Sequence, residues 1–444
     1  MTYPEALTYL GEARRFGMKL GLEPMRQVAR ALGHPEERLR FIHLAGTNGK
    51  GSTAAFCESC LRAAGYRVGL YTSPHLVSVR ERIQVDRLPI PESAFAQGME
   101  TIREAISQTE DPPTTFFEIM TAMALWYFAQ EEVDWVVWET GLGGRLDATN
   151  IVRPVVSIIT NIGLDHQQYL GQSLREIAEE KAGIIKPGVP VISAVEAGDA
   201  AEVIQASARM HGCSLTLVSR DLLVEDLGLQ HGRQMAKIDH HPFSFGLAGP
   251  HQVYNAACAV AALRLPALRG EISDSALAKG LERTIWSGRF EIISEEPPIV
   301  LDGAHNSAGV RKLLETWRDF LRSRGQLHSP EKAHTHLVFA SVSDKDITEM
   351  AHLLHPLAKK VSLIRLANER SAEPAFLAGF FSDLPCTLYD SVSDFWNEIK
   401  EIPGDIPILM TGSLFLVGEV LAQTQESTDE YRLNERLGMT GINR

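Results

Sequence analysis

The sequence has few cysteines and no long apolar segment. Its 444 residues include 5 cysteines, which is too few for the disulfide framework of a small secreted protein. No segment approaches the run of about 18 apolar residues that indicates a membrane-spanning helix. The N-terminal segment MTYPEALTYLGEARRFG also lacks the apolar core of a signal peptide. We therefore expect a cytoplasmic protein with no membrane partner.

The sequence is also poor in basic residues. Lysine and arginine number 43 against 56 aspartates and glutamates, which gives a formal net charge of −13 at pH 7. This balance argues against a nucleic-acid-binding protein, which carries a basic field, but it allows a local basic pocket for a small anion. Hydrophobic residues make up 44% of the chain, so global disorder is excluded. The length suggests two or three domains.

Strand-like and helix-like segments alternate along most of the chain. Buried strands are predicted at 41–45, 68–71, 135–138, 155–160 and 189–193. Helical patterns lie between them, which is typical of an α/β fold with a largely parallel sheet. The less regular segment 220–248 is compatible with a hairpin.

A proline-containing segment, SEEPP at 294–298, interrupts this alternation. A second α/β series follows it, with strands predicted at 299–302, 336–340, 360–365 and 406–410. We therefore predict two α/β domains, 1–292 and 293–444.

The strongest local signal is the segment GTNGKGS at 46–52, between a predicted strand and a predicted helix. In a phosphate-binding loop, glycines let backbone N–H groups converge on phosphate oxygens at a helix N-terminus. Lys50 would lie along the phosphates, and the Ser52 hydroxyl could reach Mg²⁺. The standard pattern G-x-x-x-x-G-K-[ST] is broken by Leu44 and Gly51, so a plain glycine-rich turn is the alternative. A lysine between two glycines at a strand–helix junction favours the phosphate loop.

Polar side chains follow several predicted strands at their carboxyl ends, where α/β sheets bind ligands. Glu139 ends one apolar strand, and Ser73 and His166 follow two others. A carboxylate at such a place suits Mg²⁺ beside phosphates. A turn-capping acid, a turn-capping hydroxyl and a surface or packing histidine are the respective alternatives.

The second series repeats this arrangement. Asp302 ends its first strand, His305 opens the helix that follows, and Ser413 follows its last strand. Because parallel strands end at one edge, these groups could dock a small second substrate.

Lys181 lies at the end of a predicted helix. A capping box at 173–176 starts the helix, and Gly183 ends it. Leu174, Ile177 and Lys181 fall on one face, so the residues alone predict a lysine whose head extends to solvent from an apolar stripe.

The loop GTNGKGS resembles that of the Mur ligase superfamily, in particular its folylpolyglutamate synthase/dihydrofolate synthase branch. Further segments resemble that branch in the same order, roughly across residues 15–420: FGM at 16–18, GLEPM at 21–25, YTSPHL at 71–76, ERI at 81–83, ETGLGGRLDATN at 139–150, TNIGLDH at 160–166, EKAG at 180–183, HQVYN at 251–255, SGRFE at 287–291, LDGAHN at 301–306, DKD at 344–346 and TGS at 411–413.

The resemblance implies an ATP-dependent amide ligase that adds L-glutamate to folates, to dihydropteroate or to both, through an acyl phosphate. The implied fold is a Mur-ligase-type P-loop ATPase domain that binds ATP and folate, followed by a smaller Rossmann-like glutamate-ligase domain. The implied cofactor is Mg²⁺, as two ions, with ATP as co-substrate. We expect a monomer with no nucleic-acid partner.

The resemblance also implies roles for single residues. The ATP-binding set is Thr47, Asn48, Gly49, Lys50, Gly51, Ser52, Asn255, Arg289 and Asp302. The metal-binding set is Ser73, Glu139 and His166, and the substrate-binding set is Phe116, Arg145 and Asp147. The catalytic set is Lys50, Lys181, His305 and Ser413. In the family the lysine that matches Lys181 is carbamylated, which turns a cation into an anion that can bind or orient metal.

Two other functions remain open. A cell-wall Mur ligase would use the same chemistry, but the segments SPHL at 73–76 and ETGLGGR at 139–145 weigh against it. No evident nucleotide-sugar domain precedes the loop at residue 46, which weighs the same way. A non-catalytic ATP-binding switch protein is the other alternative, and the polar set of the second domain argues against it.

Overall fold

The computed structural model describes residues 1–13, 21–110, 115–230, 232–268, 271–325, 335–399 and 406–424. The segment FGM at 16–18 lies outside the described residues.

Eight strands form the sheet of the N-terminal half. They are β1 (Phe41–Ala45), β2 (Val68–Tyr71), β3 (Ile83–Val85), β4 (Leu88–Pro89), β5 (Trp135–Glu139), β6 (Val156–Ile159), β7 (Val191–Ser193) and β8 (Leu215–Leu217). Their order is β4-β3-β2-β5-β1-β6-β7-β8. The pairs from β2 to β8 are parallel, whereas β3 and β4 pair antiparallel. The predicted α/β class is confirmed.

Helices cover both faces of this sheet. They are α1 (Tyr3–Ala13), α2 (Glu23–Ala31), α3 (Pro35–Arg38), α4 (Lys50–Ala63), α5 (Glu92–Ser107), α6 (Phe116–Gln130), α7 (Gln167–Leu170), α8 (Leu174–Ala182), α9 (Asp199–Met210), α10 (Val218–Asp221), α11 (Pro250–Leu263) and α12 (Asp274–Arg283). Phe41 of β1 packs with α5 and α6 on one face, and Ile42 packs with α4 and α11 on the other. A central strand buried on both faces explains the continuous apolar run of β1. Among the described residues, no helix is long and apolar enough to cross a lipid bilayer.

The irregular segment forms a small antiparallel sheet of three strands, one more than a hairpin contains. They are β9 (Val224–Gln230), β10 (Arg233–Ile238) and β11 (His241–Phe245). This sheet packs on α4, where the rings of Phe56 and Phe245 meet edge to face with centroids 5.9 Å apart.

Six strands form the sheet of the C-terminal half, in the order β12-β13-β17-β14-β15-β16. They are β12 (Glu291–Glu295), β13 (Pro298–Leu301), β14 (Thr335–Phe339), β15 (Ala358–Ile364), β16 (Cys386–Tyr389) and β17 (Ile408–Thr411). Among the described strands of this sheet, only β12 runs antiparallel to its neighbour. The helices are α13 (Ser307–Ser323), α14 (Ile347–Leu354), α15 (Pro374–Ala378), α16 (Val392–Ile399) and α17 (Leu414–Thr424). The predicted division between 292 and 293 falls inside β12, which pairs with β13 of the second sheet. We therefore propose the connection between α12 and β12 as the domain boundary.

The loop after β2 joins the two halves. Val77 is buried in the core of the C-terminal half, and Leu76 packs against the same core. A Cβ atom on Gly418 of α17 would lie 2.2 Å from the Leu76 carbonyl oxygen, so only glycine permits this approach. The loop that carries Ser73 is therefore held against the second half.

Candidate active site

The carboxyl edge of the first sheet brings four predicted segments together. The loop 46–52 follows β1, Ser73 follows β2, Glu139 ends β5 and His166 follows β6. The strands β2, β5, β1 and β6 are parallel neighbours, so their carboxyl ends meet along one edge.

The phosphate-loop segment has the backbone that its glycines predict. Gly46 has φ +154, and a Cβ there would lie 1.9 Å from Thr160 Oγ1. Gly49 has φ +84 and is the N-cap of α4, which begins at Lys50. The Thr47 N–H donates to Asn161 O at 2.9 Å. The N-terminus of α4 therefore lies directly at this loop, which is the arrangement that binds anions.

The polar side chains of the loop are partly engaged by their own surroundings. Lys50 Nζ donates to Gly46 O at 3.1 Å and lies 4.0 Å from Glu139 Oε1. The Thr47 hydroxyl donates to Gly163 O at 3.1 Å. The Lys50 ammonium thus lies between the loop and the carboxylate that ends β5.

Helix α11 docks on the phosphate loop. Gln252 donates to Ser52 Oγ at 3.3 Å, and Asn255 donates to Gln252 Oε1 at 2.9 Å. A Cβ atom on Gly49 would lie 2.4 Å from Asn255 Oδ1, so Gly49 faces Asn255 at short range. Gln252 lies in the segment HQVYN at 251–255, and no role was predicted for it from sequence.

Glu139 is a buried carboxylate with little compensation. It is 3% exposed, and the Ser73 N–H donates to its Oε2 at 3.1 Å. Burial raises its pKa to about 7, although the Lys50 charge opposes that shift. A buried carboxylate at the carboxyl edge of the sheet is a hard oxygen donor that suits a divalent cation.

His166 stands at the start of α7 with φ +51. Its N–H donates to Asp165 Oδ1 at 2.9 Å. Burial lowers the pKa of the imidazole to about 4, against the opposing charge of Asp165. The ring is therefore neutral at pH 7, which is the form that binds metal ions.

Lys181 points into the protein rather than to solvent. The capping box of Ser173 and Glu176 is confirmed at the start of α8. However, Lys181 is 4% exposed, and its Nζ donates to Gly46 O at 2.9 Å, so the prediction of a solvent-extended side chain is wrong. The buried part of the stripe begins only at Ile177, since Leu174 is 41% exposed. Burial, together with the Lys50 charge, lowers the pKa of Lys181 to about 7.

Phe116 is at the start of α6, and its ring lies beneath a buried arginine. The Arg82 guanidinium carbon is 5.0 Å from the centre of the Phe116 ring. Arg82 Nε donates to His75 Nδ1 at 2.9 Å. These groups connect the loop after β2 to the start of α6.

Arg145 and Asp147 lie in the glycine-rich loop after Glu139. Arg145 is exposed, and its Nη2 lies 2.6 Å from Glu180 Oε1. Asp147 Oδ2 accepts the N–H groups of Gly141 and Leu142 at 3.0 and 2.9 Å. The Asp147 carboxylate thus holds its own loop in shape, a use that the sequence did not indicate.

In the second half, Asp302 fixes the connection between the two sheets. Its carboxylate accepts the N–H groups of Phe290 and Ala304 at 2.9 and 2.8 Å. Burial raises its pKa, while the Arg289 charge opposes the shift. A Cβ on Gly303 would lie 2.7 Å from Arg289 Nη1, so Arg289 reaches the end of β13.

His305 and Ser413 lie at the ends of the adjacent parallel strands β13 and β17. His305 Nδ1 lies 2.8 Å from Gly303 O, so we assign the proton to Nδ1, which leaves Nε2 as an acceptor. Burial lowers the pKa of His305 to about 4. The Ser413 side chain is buried, and its Oγ accepts the Phe415 N–H at 3.1 Å.

Three polar residues that the sequence analysis gave no role connect the two edges. Lys345 Nζ donates to Asp165 Oδ1 at 3.0 Å, and Asn306 Nδ2 donates to Asp165 Oδ2 at 3.2 Å. All three lie in the segments TNIGLDH, LDGAHN and DKD. Their position in motifs of both halves was the available signal.

Replacement of Glu139 by glutamine should stabilise the metal-free protein at pH 8. The folded-state pKa of about 7 lies above the ordinary value of 4.5. The favourable contribution of the protonated carboxyl is therefore complete below pH 4.5 and is lost as pH rises through 7. At pH 8 the gain in unfolding free energy should be on the order of 3 kcal/mol, and it should shrink toward pH 5. Chemical unfolding in EDTA at both pH values measures it, and an equal gain at both would contradict the burial of this charge.

Two family models match the chain. The Mur ligase middle domain matches residues 44–263, and the Mur ligase glutamate ligase domain matches residues 288–414. The dihydrofolate synthase/folylpolyglutamate synthase of Bacillus subtilis (strain 168) is 38% identical, over 94% of this chain and 98% of the relative. The folylpolyglutamate synthase of Lacticaseibacillus casei is 34% identical, over 95% and 98%.

Solved structures of related proteins resemble this chain over nearly its whole length. Escherichia coli FolC in complex with DHPP and ADP superposes with a TM-score of 0.83 at 32% identity, covering 96% of this chain and 98% of that one. The folylpolyglutamate synthase of Thermotoga maritima gives a TM-score of 0.82 at 31% identity, covering 97% and 98%.

Proposed function

Because the chain belongs to the folylpolyglutamate synthase/dihydrofolate synthase family of Mur ligases, we propose how its residues perform the reaction of that family. The protein is an ATP-dependent ligase that forms an amide bond. The substrates that we propose are a folate or dihydropteroate, which supplies a carboxylate, and L-glutamate, which supplies the amine. The arrangement that carries the proposal is one phosphate loop beside two facing sheet edges.

The first step joins two anions. The acceptor carboxylate attacks the γ-phosphorus of ATP, and ADP leaves, which gives an acyl phosphate. Two unit charges about 4 Å apart repel by about 4 kcal/mol at an effective dielectric constant of 20. Lys50 at the loop and Arg289 from the connection between the sheets offset this repulsion and stabilise the transferred phosphoryl group.

Ser73, Glu139 and His166 would hold Mg²⁺, since the Glu139 carboxylate is buried with one N–H donor and one ammonium at 4.0 Å. When bound, Mg²⁺ neutralises charge on the phosphates. We propose that two Mg²⁺ ions are bound together with ATP as the co-substrate.

Lys181 is proposed to be carbamylated. The Lys181 ammonium first loses one proton, and the neutral amine then attacks CO₂ to form a C–N bond. A second proton is released, so that +1 becomes −1. The pKa of about 7 supplies neutral amine near pH 7, and the nearby Lys50 charge would favour the anion. Because the site is buried away from bulk solvent, the carbamate would be protected from loss of CO₂.

The second step uses the edge of the C-terminal sheet. The glutamate amine attacks the acyl carbon, and the tetrahedral intermediate collapses to the amide and phosphate. We propose that His305 Nε2 accepts a hydrogen bond from the amine and that Ser413 orients glutamate or the phosphate. Asp302 holds the connection that carries Arg289.

Alanine at Asp302, His305 or Ser413 should each lower glutamate-dependent turnover roughly tenfold, the cost of one buried hydrogen bond or charge contact. The measurement is kcat and the glutamate KM of each variant. The control is Ser382→Ala, because Ser382 is an exposed turn residue of the same half. Unchanged values in all three test variants would place the glutamate site elsewhere.

An isotope experiment tests the acyl phosphate. An acceptor whose carboxylate carries ¹⁸O should deliver one ¹⁸O atom to the phosphate released. Phosphate without label would contradict attack by the carboxylate on ATP.

We also propose a cytoplasmic monomer. Each polar group proposed for catalysis comes from the same chain, so no second copy is needed. Light scattering on a size-exclusion column tests this, and a dimer at assay concentration would contradict it.

A further inference from the structure

Three side chains join the two halves beside the proposed site. Asp165 belongs to the first half and directly precedes His166, whereas Asn306 and Lys345 belong to the second. Lys345 Nζ lies 3.0 Å from Asp165 Oδ1, and Asn306 Nδ2 lies 3.2 Å from Asp165 Oδ2. We call Asp165, Asn306 and Lys345 the clasp.

The ion pair of the clasp is largely shielded from water. The side chains of Lys345 and Asp165 are 12% and 11% exposed, so salt and solvent screen their attraction less than at an open surface. Each oxygen of the Asp165 carboxylate takes a donor from the other half. An interaction of this kind has a defined geometry, unlike a mobile surface pair.

Asn306 links the clasp to two further segments. Its Oδ1 accepts the Gly309 N–H at 2.8 Å and so caps α13, the helix that follows His305. Its Nδ2 also lies 3.2 Å from Asn48 Oδ1 of the phosphate loop. One side chain therefore contacts the loop before His166, the phosphate loop and the start of α13.

We propose that the clasp is a positioning device for the second step of the reaction. It sets the distance between the edge that forms the acyl phosphate and the edge that presents the glutamate amine. Lys345 and Asp165 act through the placement of His305 and His166, not by contact with the reacting atoms. Near-attack geometry is sensitive, since a misplacement of about 1 Å costs on the order of a hundredfold in rate. This inference rests on the proposed function for its substrates.

The halves also meet away from the clasp. Leu76 and Gly418 are in close contact, and the chain connection at 285–290 remains. Loss of the clasp should therefore change the alignment of the halves without unfolding them.

Asp165→Asn and Lys345→Met remove the charges and keep the side-chain size. In Asp165→Asn the amide oxygen can still accept the His166 N–H. Each variant should lower kcat about tenfold or more while the KM for ATP stays within about twofold. The double variant should be no slower than the slower single variant, because either change already breaks the pair.

Hydrogen exchange on the ligand-free protein gives a second readout that needs no substrate. Lys345→Met in the second half should speed amide exchange in segment 161–166 of the first half. Arg311→Met and Glu349→Gln break an exposed ion pair within the second half, and they should change neither exchange in 161–166 nor kcat.

Several results would overturn the proposal that the clasp positions the two halves. One is an unchanged kcat in both single variants. Another is a double variant in which the losses of kcat from the two single variants multiply, together with a Lys345→Met variant that raises only the glutamate KM. Lys345 would then contact the substrate directly. Unchanged exchange at 161–166 is a third. If the wild type showed no glutamate-dependent turnover, the proposed function would fail, and the exchange experiment would still decide whether the clasp couples the halves.

Discussion

Lys50→Ala should lower kcat for ATP-dependent amide formation by roughly a hundred- to a thousandfold, the usual cost of removing one transition-state donor. The ammonium lies at the helix N-terminus of the loop, 3.1 Å from Gly46 O and 4.0 Å from Glu139. In the proposed mechanism it balances the charge of the phosphoryl group during transfer, and Lys181, which is proposed to be an anion, cannot take its place. Steady-state kinetics with saturating ATP measures the effect.

The matched control is Lys237→Ala. Lys237 is half-exposed and pairs with Glu225 in the three-stranded sheet, so this variant removes a similar charge from a different sheet. It should keep wild-type turnover. A well-folded Lys50→Ala enzyme with near-normal kcat would reject the phosphate-loop assignment.

Lys181→Ala should lower kcat by roughly a hundredfold, and a short carboxylate such as acetate should restore part of it. The proposed carbamate differs from an ammonium by two charge units beside the metal residues, and removal of a group that orients metal ligands costs about 10- to 100-fold. Lys181→Arg should also be inactive, because the guanidinium stays positive and does not react with CO₂. Activity measured with and without added acetate separates these cases.

An unmodified lysine predicts the opposite pattern. The Lys181 Nζ donates to Gly46 O, and arginine could keep such a hydrogen bond. An active Lys181→Arg enzyme, or electron density for a bare lysine in crystals grown near neutral or mildly alkaline pH, would contradict carbamylation. Thermal unfolding of both variants controls for loss of fold.

The central strands could be predicted because their signal is local. The strands β1 and β2 are short apolar runs that end at glycine or polar residues, and their predicted bounds agree with Phe41–Ala45 and Val68–Tyr71. A strand buried on both faces needs apolar residues throughout. The carboxyl-edge placement of Glu139 and His166 then follows from topology.

The direction of a side chain is not a local property. Periodicity placed Lys181 at the end of an apolar stripe, but the acceptor that draws its ammonium inward is Gly46 O, 135 residues away. A helical pattern predicts which residues lie on the same face of a helix. It does not predict which atoms of other segments pack against that face. The inward direction of Lys181 was for this reason not predictable.

Contacts between the two halves also could not be predicted from the sequence. The pair of Asp165 and Lys345 spans 180 residues, and each residue alone is an ordinary surface charge in sequence. The Asp147 carboxylate is engaged with its own loop, which spacing alone does not reveal. Only the three-dimensional arrangement of the two sheets connects these groups.

The most direct test measures amide product and ADP together, with the purified protein, Mg²⁺, ATP and L-glutamate, and with dihydropteroate or tetrahydrofolate as the acceptor. The proposed function predicts that at least one acceptor gives amide and ADP in equal amounts, and that omission of either glutamate or the acceptor abolishes the amide. ADP release that needs neither substrate, or no amide with either acceptor, would contradict it.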